Sequence, residues 1–260
     1  DTVYAGLDAR YSRGRDDEPD VGSLRATGGW QISPRLNLTG DFGYDRVGGQ
    51  NRLSAFFSLV FRFDRSSSLR ADYDSRGDRK RLTYQTYHGT GTGAYNFSAD
   101  IEHSDVGIVT GANGTLFSNR AELGFSHFGA FEGDLGGSTS QRTSLRFGTA
   151  LAVADGAFSV GRPIQDSFAI VSPHASLRGT DILIEPTGRS AAANSGALGT
   201  ALQPSLSSYS ERNLLITAPD APLNTDLGEG SFRLLPPYRG GYRLTVGSGY
   251  LASVVGRLLN

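Results

Sequence analysis

The chain has 260 residues with a formal net charge of −1 and no cysteine. The balanced charge gives a nucleic-acid partner no electrostatic support, and the lack of thiols excludes disulfides, thiolate nucleophiles and cysteine-ligated zinc. No run of about 18 apolar residues occurs, which excludes a transmembrane helix; membrane-crossing strands stay possible because they are short and only half apolar.

Apolar and polar residues alternate with a period of two through the first part of the chain, as they do in strands with two unlike faces. In LSAFFSLVFRF (53–63) the odd positions are all apolar, whereas the even positions include two serines and an arginine. Gly, at 35 residues, is abundant as well. We therefore predict an all-β fold. The segments with this pattern are TVYAGLDARYS (2–12), LRATGGWQI (24–32), LNLTGDFGYD (36–45), LSAFFSLVFRF (53–63), YNFSADIEH (95–103) and SLRFGTALAV (144–153).

The predicted strands are about 9–11 residues long, the length that crosses a bilayer when tilted, whereas soluble strands typically have about 5–6 residues. Aromatic residues occur near several strand ends, where an interfacial girdle would lie. Short turns such as GGQN (48–51) alternate with longer polar loops such as RGRDDEPD (13–20) and DSRGDRKR (74–81). This pattern favours a portion of a transmembrane antiparallel β-barrel of about 10–12 strands. A soluble sandwich would show the same alternation.

In a membrane barrel the apolar face would meet lipid and the polar face would line a wet lumen. The candidate lumen residues are Asp41, Arg62, Asp72 and Arg146. We interpret them as a solvated wall rather than as a binding site. An open barrel would leave unpaired strand edges in lipid, where each unsatisfied backbone group costs several kcal/mol. If this part is half of a larger barrel, the missing strands would come from upstream in the sequence.

The composition changes near residue 162. The first part holds 20 of the 26 aromatic residues but only two of the ten prolines, and barrel strands resist proline because it removes a ladder donor. We therefore predict barrel strands over 1–163 and a small domain over 164–260. Short apolar segments separated by turns in the second part suit a periplasmic β-sandwich. These segments are SFAIVS (167–172), DILIEP (181–186), LLITA (214–218), SFRLLP (231–236), YRLTVG (242–247) and YLASVVGRLL (250–259).

No sequence motif indicates catalysis. A nucleophilic serine elbow, a phosphate-binding loop and a dinucleotide-binding glycine pattern are all missing, and GTGTG (89–93) is better interpreted as a flexible turn. The four histidines, His88, His103, His127 and His174, lack the spacing of metal ligands. We expect no cofactor, no metal site and no enzymatic activity.

Three segments of the second part resemble the C-terminal part of fimbrial outer-membrane ushers of the chaperone–usher pathway. DSFAIVSP (166–173) is similar to the start of the family's first C-terminal domain. GTALQPSLSSY (199–209) matches a Gly-x-Ala-x-x-Pro-x-Leu-x-x-Tyr pattern, and PPYRGGYRLTVGS (236–248) resembles a Pro-rich turn with Arg-Gly before a strand. The residues at family positions are Asp166, Ser167, Phe168, Ala169, Gly199, Ala201, Pro204, Leu206, Tyr209, Pro236, Arg239 and Gly240.

Two positions depart from the family pattern. Asn194 stands where the family usually has Asp before the glycine, and Asn213 follows Tyr209 by four residues where three is usual. The PPYRGGYRLTVGS segment is closer to the archaic, spore-coat-U-type branch than to the type 1 or P pilus branch.

The resemblance implies a pore that translocates pilus subunits across the bacterial outer membrane and scaffolds their donor-strand exchange without a nucleotide. It implies periplasmic chaperone–subunit complexes and outer-membrane lipid as partners, with the C-terminal domain in the periplasm and with no contact residue assigned. Because the chain begins at Asp1 without Met, we expect a portion of a longer usher, without the N-terminal domain, part of the barrel and plug, and the second C-terminal domain. The alternative functions are a passive outer-membrane porin or transporter with a periplasmic module, and a soluble two-domain β-adhesin.

Overall fold

The computed structural model describes residues 2–15, 19–133, 135, 137–188, 190–222, 225–228 and 230–249. The chain is all-β and divides into two compact units. The first consists of Asp1–Tyr87, Asn96–Gly114 and Phe125–Ser144, and the second of His88–Tyr95, Thr115–Gly124 and Leu145–Asn260. In the described parts of the chain, no helix combines the length and the apolar character that crossing a membrane requires.

Ten strands form one sheet in which each strand pairs with its neighbours in the sequence. They are β1 (Thr2–Ser12), β2 (Val21–Ser33), β3 (Leu36–Val47), β4 (Gln50–Arg62), β5 (Ser67–Asp74), β6 (Arg79–His88), β7 (Ala94–Ser104), β8 (Gly107–Phe117), β9 (Glu122–Phe131) and β10 (Ser138–Gly148). Neighbouring strands from β1 to β6 run antiparallel. Such a meander is the wall of an antiparallel β-barrel, so the predicted fold class is confirmed.

The register gives this sheet one continuous apolar face. Ala9, Leu24, Tyr44 and Leu53 lie opposite one another across β1–β4, and directly opposed residues share a face of an antiparallel sheet. The large side chains of this face stay exposed, and Leu53 is 79% exposed. The alternation predicted from the sequence is therefore confirmed, and the apolar face runs across strands as well as along them.

Two hairpins between the long strands show why turn chemistry matters. Gly48 and Gly49 both have positive φ, at 58° and 82°, as a two-residue hairpin of the favoured hand requires. The polar loop predicted at 74–81 is shorter than predicted, because β5 continues to Asp74 and β6 begins at Arg79 after one 3-10 turn. Asp74 closes this turn by accepting from the Arg76 backbone N at 3.0 Å and from Arg79 Nη2 at 3.1 Å.

The second unit contains a small sandwich with a third layer on one side. Its strands are β11 (Ala150–Ala154), β12 (Ala157–Gly161), β13 (Ser167–Pro173), β14 (Leu183–Ile184), β15 (Ala193–Asn194), β16 (Ala201–Leu206), β17 (Arg212–Thr217), β18 (Ser231–Leu234) and β19 (Gly241–Val246). One sheet has the order β16–β13–β19 and the other β15–β14–β17–β18, and β11–β12 is a separate hairpin. The strand β13 runs parallel to β19.

The central strand β13 is buried on both faces. Ala169 and Val171 belong to the core between the two sheets, whereas Ile170 packs with Leu202 and the alanines of β11 and β12. Because successive side chains of a strand point to opposite faces, the near-continuous apolar run in this segment serves two cores at once. The hairpin β11–β12 thus covers the outer side of the β16–β13–β19 sheet.

The predicted single strand at 144–153 is interrupted at Thr149. The long ladder stops at Gly148, and β11 pairs with β12 instead. The Thr149 hydroxyl donates to Arg120 O at 2.8 Å and to Gly161 O at 3.1 Å, which takes this residue out of the ladder. The contacts therefore place β11 and β12 in the second unit, and the domain boundary at 163/164 stays a prediction.

The sequence also failed to show β16. Pro204 argues against a strand because it cannot donate to a ladder. However, β16 is an edge strand of its sheet, and Pro204 lies where the β13–β16 register shifts between Ser167 and Ala169; edge strands and bulges both accept proline. The strand predicted at 181–186 is reduced to Leu183–Ile184. The strand predicted at 250–259 lies outside the described residues.

Candidate functional site

Asp166, which immediately precedes β13, joins two loops of the second unit. Its carboxylate accepts hydrogen bonds from the backbone N and the Oγ of Ser208, at 2.8 and 2.5 Å, and from the Arg239 backbone N at 3.4 Å. The hydrogen bonds from Ser208, followed by that from Arg239, hold the pKa of Asp166 below its ordinary value because they stabilise the ionised carboxylate. Residues far apart in the sequence are thus tied to one charge.

Ser167 continues this connection with its own side chain. Its Oγ donates to Pro237 O at 2.7 Å and accepts from Gly240 N at 3.0 Å, and Phe168 N donates to Gly240 O at 3.0 Å. The Phe168 ring lies against Gly241, where an added Cβ would be 2.5 Å from Cζ. The Arg-Gly turn before β19 is therefore fixed by residues that begin β13.

The two loops carry exposed aromatic side chains on unusual backbone. Tyr209 has φ 56° and Arg239 has φ 53°, a left-handed conformation that non-glycine residues rarely adopt and that concentrates at functional sites. The loops meet at the hydrogen bond from Tyr209 N to Pro236 O, at 2.7 Å. Tyr209 is 76% exposed, and the exposed Tyr238 ring lies 5.2 Å below the Arg239 guanidinium. We call the two loops that carry the exposed side chains of Tyr209, Leu235 and Tyr238 the aromatic loops.

The other residues of the resemblance have structural positions. Ala201 and Leu206 are buried in the core between the sheets, Pro204 is buried at the bulge of β16, and Gly199 takes φ 72° at the end of a 3-10 turn. Pro236 is also fully buried. The structure therefore brings Asp166, Tyr209, Pro236, Arg239 and Gly240 together, whereas Gly199, Ala201, Pro204 and Leu206 belong to β16 and its approach.

Acid is expected to weaken the second unit through Asp166. A carboxylate with a lowered pKa in the folded state contributes stability above the unfolded value of about 4 and loses it as the pH falls through the folded value. Asp166→Asn should therefore reduce the drop in thermal midpoint between about pH 6 and pH 3, with the exposed Asp220→Asn as control. Equal acid sensitivity of the Asp166→Asn variant and the unaltered chain would contradict this.

A second hydrogen-bonded centre surrounds Arg120, on the turn between β8 and β9. The guanidinium donates to Val160 O at 2.5 Å, to Thr200 O at 3.1 Å and to Ser195 O. Burial lowers the pKa of Arg120 because it removes water from the charged form. One cation thus satisfies carbonyls from three segments of the second unit, and no carboxylate takes part among the hydrogen bonds of the described residues.

Asn119, the preceding residue, binds the same region. Its Nδ2 donates to Asn194 O and Oδ1, at 2.8 and 2.7 Å, and its Oδ1 accepts from Asn194 N at 2.9 Å. Arg162 Nη2 donates to Ala192 O at 2.7 Å, and its guanidinium lies 5.8 Å from the centre of the Phe117 ring. The side-chain oxygen of Asn194, the position that departs from the family pattern, therefore has a partner in this chain, because the Asn119 amide both donates and accepts.

The turn between β6 and β7 binds the residues just before Ala192. Thr92 N donates to Ala191 O at 2.8 Å, and Ser190 Oγ donates to Thr90 O at 3.2 Å and to Thr92 O at 3.0 Å. Gly91 has φ 87°, and an added Cβ would lie 2.3 Å from Ala191 O. We call residues 190–200 the clamped segment, since two strand-end turns hold it inside the second unit.

Three of the four candidate lumen residues share the polar face of the long sheet. Asp72 belongs to a row with Thr39, Ser58 and Arg81, and the register puts Asp41 and Arg62 on the same face. Asp72 accepts from Arg70 Nε at 2.8 Å.

The fourth candidate, Arg146, lies in the second unit, where its Nη2 is 2.6 Å from Glu122 Oε1. Asp72 and Arg146 are thus each paired with an opposite charge, and the interpretation of the four residues as a solvated wall stays a prediction. Arg81 repeats this arrangement in the first unit, 3.1 Å from Asp100.

Comparison with solved structures gives a match over most of the chain. The E. coli P pilus tip assembly intermediate PapC–PapD–PapK–PapG in its second conformation matches through its PapC usher, with a TM-score of 0.53 and 12% identity. The fold is usher-like. The match covers 92% of this chain and 29% of that chain, so this chain spans about 29% of the usher's length. No protein-family model and no curated protein matches the sequence.

Sequence reasoning missed the residues that clamp the second unit of this usher-like fold. Asn119 and Arg120 lie in a four-residue turn, SNRA (118–121), that looks like any polar hairpin. Their importance depends on the segment that they meet about 75 residues later. The one available signal was Asn194, which stood out as a departure from the family pattern but had no visible partner in the sequence.

Proposed function

We propose that the chain is part of an outer-membrane usher that translocates pilus subunits and scaffolds their assembly. The observation that carries this is the usher-like fold over 92% of the chain, in which a sheet of ten strands with an exposed apolar face precedes a small sandwich. The apolar face contacts outer-membrane lipid, the polar face lines the lumen, and the sandwich lies in the periplasm. The archaic branch stays a prediction.

The proposed mechanism uses binding energy and proximity instead of a catalytic side chain. Each subunit arrives with a chaperone strand that completes its sheet, and exchange for the extension of the next subunit gives a better-packed product. The usher holds the two reactants close together, which lowers the barrier by removing orientational freedom. On this proposal no nucleotide, metal or cofactor takes part, and the chain is not an enzyme with a side-chain mechanism.

The aromatic loops are the proposed contact for chaperone–subunit complexes. Tyr and Arg are enriched among the residues that carry the binding energy of protein interfaces, and Tyr buries a large area at low entropic cost. Asp166 and Ser167 hold these loops in place beforehand. The neighbouring structure contains PapD, PapK and PapG together with PapC, which supports partners of this kind for the present chain.

Membrane insertion can be tested with the single tryptophan of the chain. Trp30 lies on the apolar face opposite Leu38, so phospholipid brominated on its acyl chains should quench its fluorescence after reconstitution. A variant with Trp30→Phe and Thr39→Trp carries the tryptophan on the polar face and should stay unquenched. Equal quenching of both positions, or none at Trp30, would contradict the barrel and favour a soluble β-protein.

Partner binding separates an usher from a porin. The full chain in detergent should capture a periplasmic chaperone–subunit complex, and Tyr209→Asn with Tyr238→Ser should weaken this capture about tenfold or more, as loss of interface hot spots does. Asn is chosen at 209 because it tolerates a positive φ. Leu215→Thr, at another exposed apolar position of the same unit, is the matched control. Undiminished capture by the double variant would exclude the aromatic loops.

A further inference from the structure

The apolar face of the first unit contains a crevice at one end of β1–β3. Tyr11, Gly22 and Arg46 lie opposite one another in one row of this face. Gly22 has no side chain, so it leaves a gap between the tyrosine and the arginine. Loop residues Pro19 and Asp20 close the far side, and the crevice has a volume of about 610 Å³.

An apolar groove continues from this crevice along the same face. The groove has a volume of about 500 Å³ and is lined by Leu24, Phe42, Tyr44 and Leu53, of which Leu24 and Tyr44 also line the crevice. The register explains this continuity, since the row of Leu24, Tyr44 and Leu53 follows directly on the row of Arg46. A crevice with a guanidinium that is unpaired among the described residues thus opens into an apolar groove, which matches a molecule with an anionic head and a hydrocarbon tail.

Arg46 is the cation available to such a head group. In the part of the chain that the structure describes, it has neither an ion pair nor a side-chain hydrogen bond, whereas Arg10, which also lines the crevice, lies 3.4 Å from Asp8. Asp20 has the opposite charge, but its carboxylate accepts from Tyr11 Oη at 3.0 Å and from Gly14 N at 2.9 Å. The guanidinium is therefore free to bind an anion.

The position of the crevice selects the source of the anion. At this end of the sheet the odd-numbered strands end and the even-numbered strands begin. Because β10 is even-numbered, its last residue lies at the opposite end of the sheet. With the sandwich in the periplasm, as the proposed function has it, the crevice lies at the level of the outer leaflet. Tyr11 and Tyr44 then occupy the interface between lipid and water, where aromatic side chains with a polar tip are favoured.

We propose that this crevice and groove form a binding site for a phosphorylated glycolipid of the outer leaflet. The phosphate binds Arg46, whose planar guanidinium matches two phosphate oxygens, and an acyl chain lies in the groove over Leu24, Phe42 and Leu53. The site rests on the proposed function, because only membrane insertion in this orientation brings a lipid to the crevice.

The test compares two lipids on the full chain in detergent micelles. Diphosphoryl lipid A should bind about tenfold more tightly than dephosphorylated lipid A, a difference of the size of one charge-assisted hydrogen bond. Arg46→Gln should abolish this preference and Arg46→Lys should keep part of it. Arg52 follows Asn51, the residue opposite Arg46, and therefore lies on the polar face. Arg52→Gln should leave the preference unchanged. Inorganic phosphate alone should not compete.

A second variant guards against misfolding of the first. An added Cβ at Gly22 meets only Tyr11 Cδ2, at 3.9 Å, so Gly22→Leu should fold, fill the crevice and weaken both lipids while Arg46 stays in place. An unchanged preference in Arg46→Gln, or unchanged binding in Gly22→Leu, would overturn the site. Trp30 quenching by brominated lipid separates the two proposals: quenching without a lipid A preference removes only this site, whereas no quenching removes the membrane barrel as well.

Discussion

Replacing Arg120 with Ala is expected to lower the free energy of unfolding of the second unit by about 3 kcal/mol, because the carbonyls of Val160, Ser195 and Thr200 lose their common donor and stay partly buried. The loss should be concentrated in the clamped segment. Denaturant unfolding gives the total, and hydrogen exchange at residues 190–200 gives its location.

Two further variants make this expectation specific. Arg120→Lys keeps the charge but replaces the planar fork with one ammonium, so it should recover part of the stability and not all of it. Arg178→Ala removes an exposed arginine of the same unit and should change stability by less than about 0.5 kcal/mol. Unchanged protection of the clamped segment in Arg120→Ala would show that the guanidinium is not its anchor.

Gly91→Ala should lower the free energy of unfolding about as much as Arg120→Ala does, through a change confined to one turn. Its Cβ would lie 2.3 Å from Ala191 O, at a residue whose φ is 87°, so the turn and the clamped segment must separate. We expect a cost of about 3 kcal/mol, the sum of a backbone penalty and a displaced hydrogen bond. Protease susceptibility near residue 191 and the thermal midpoint measure it.

Gly89→Ala is the matched control for this change. Gly89 also has a positive φ, at 61°, but an added Cβ there meets nothing within 4 Å. Its substitution should cost only the conformational penalty of about 1 kcal/mol. Similar losses for the two variants would mean that backbone strain, and not contact with Ala191, makes the turn sensitive.

The clamp has a consequence for the proposed usher. Asn119, Arg120 and Thr92 all belong to turns that join the long strands, and all three bind the clamped segment. A partner held by the second unit would therefore be held by a structure that includes these strand-end turns. Loosening the clamp is expected to disturb assembly even where the aromatic loops remain intact.

Most of the long strands could be predicted because their signal is local. In 53–63 the polarity of each side chain indicates which face of the strand it occupies, because backbone geometry alone sets the period of two. The strand β4 at Gln50–Arg62 therefore follows from the sequence. The resemblance also singled out Asp166, Tyr209 and Arg239, which the fold brings together. It could not show that Asp166 binds Ser208, the neighbour of Tyr209, and the backbone of Arg239, since both lie more than 40 residues away.

The sequence by itself determined the all-β class, the two-faced strands and the change in composition after residue 162, because periodicity and proline content act within a few residues. Only the tertiary structure decided where the ladder ends at Gly148, which turn Arg120 belongs to and what it binds, and why Pro204 fits inside a strand. Those features arise from contacts between distant segments. A hydrogen bond from Arg120 to Thr200 leaves no trace in the residues around either one, since its donor and acceptor are a common side chain and a backbone carbonyl.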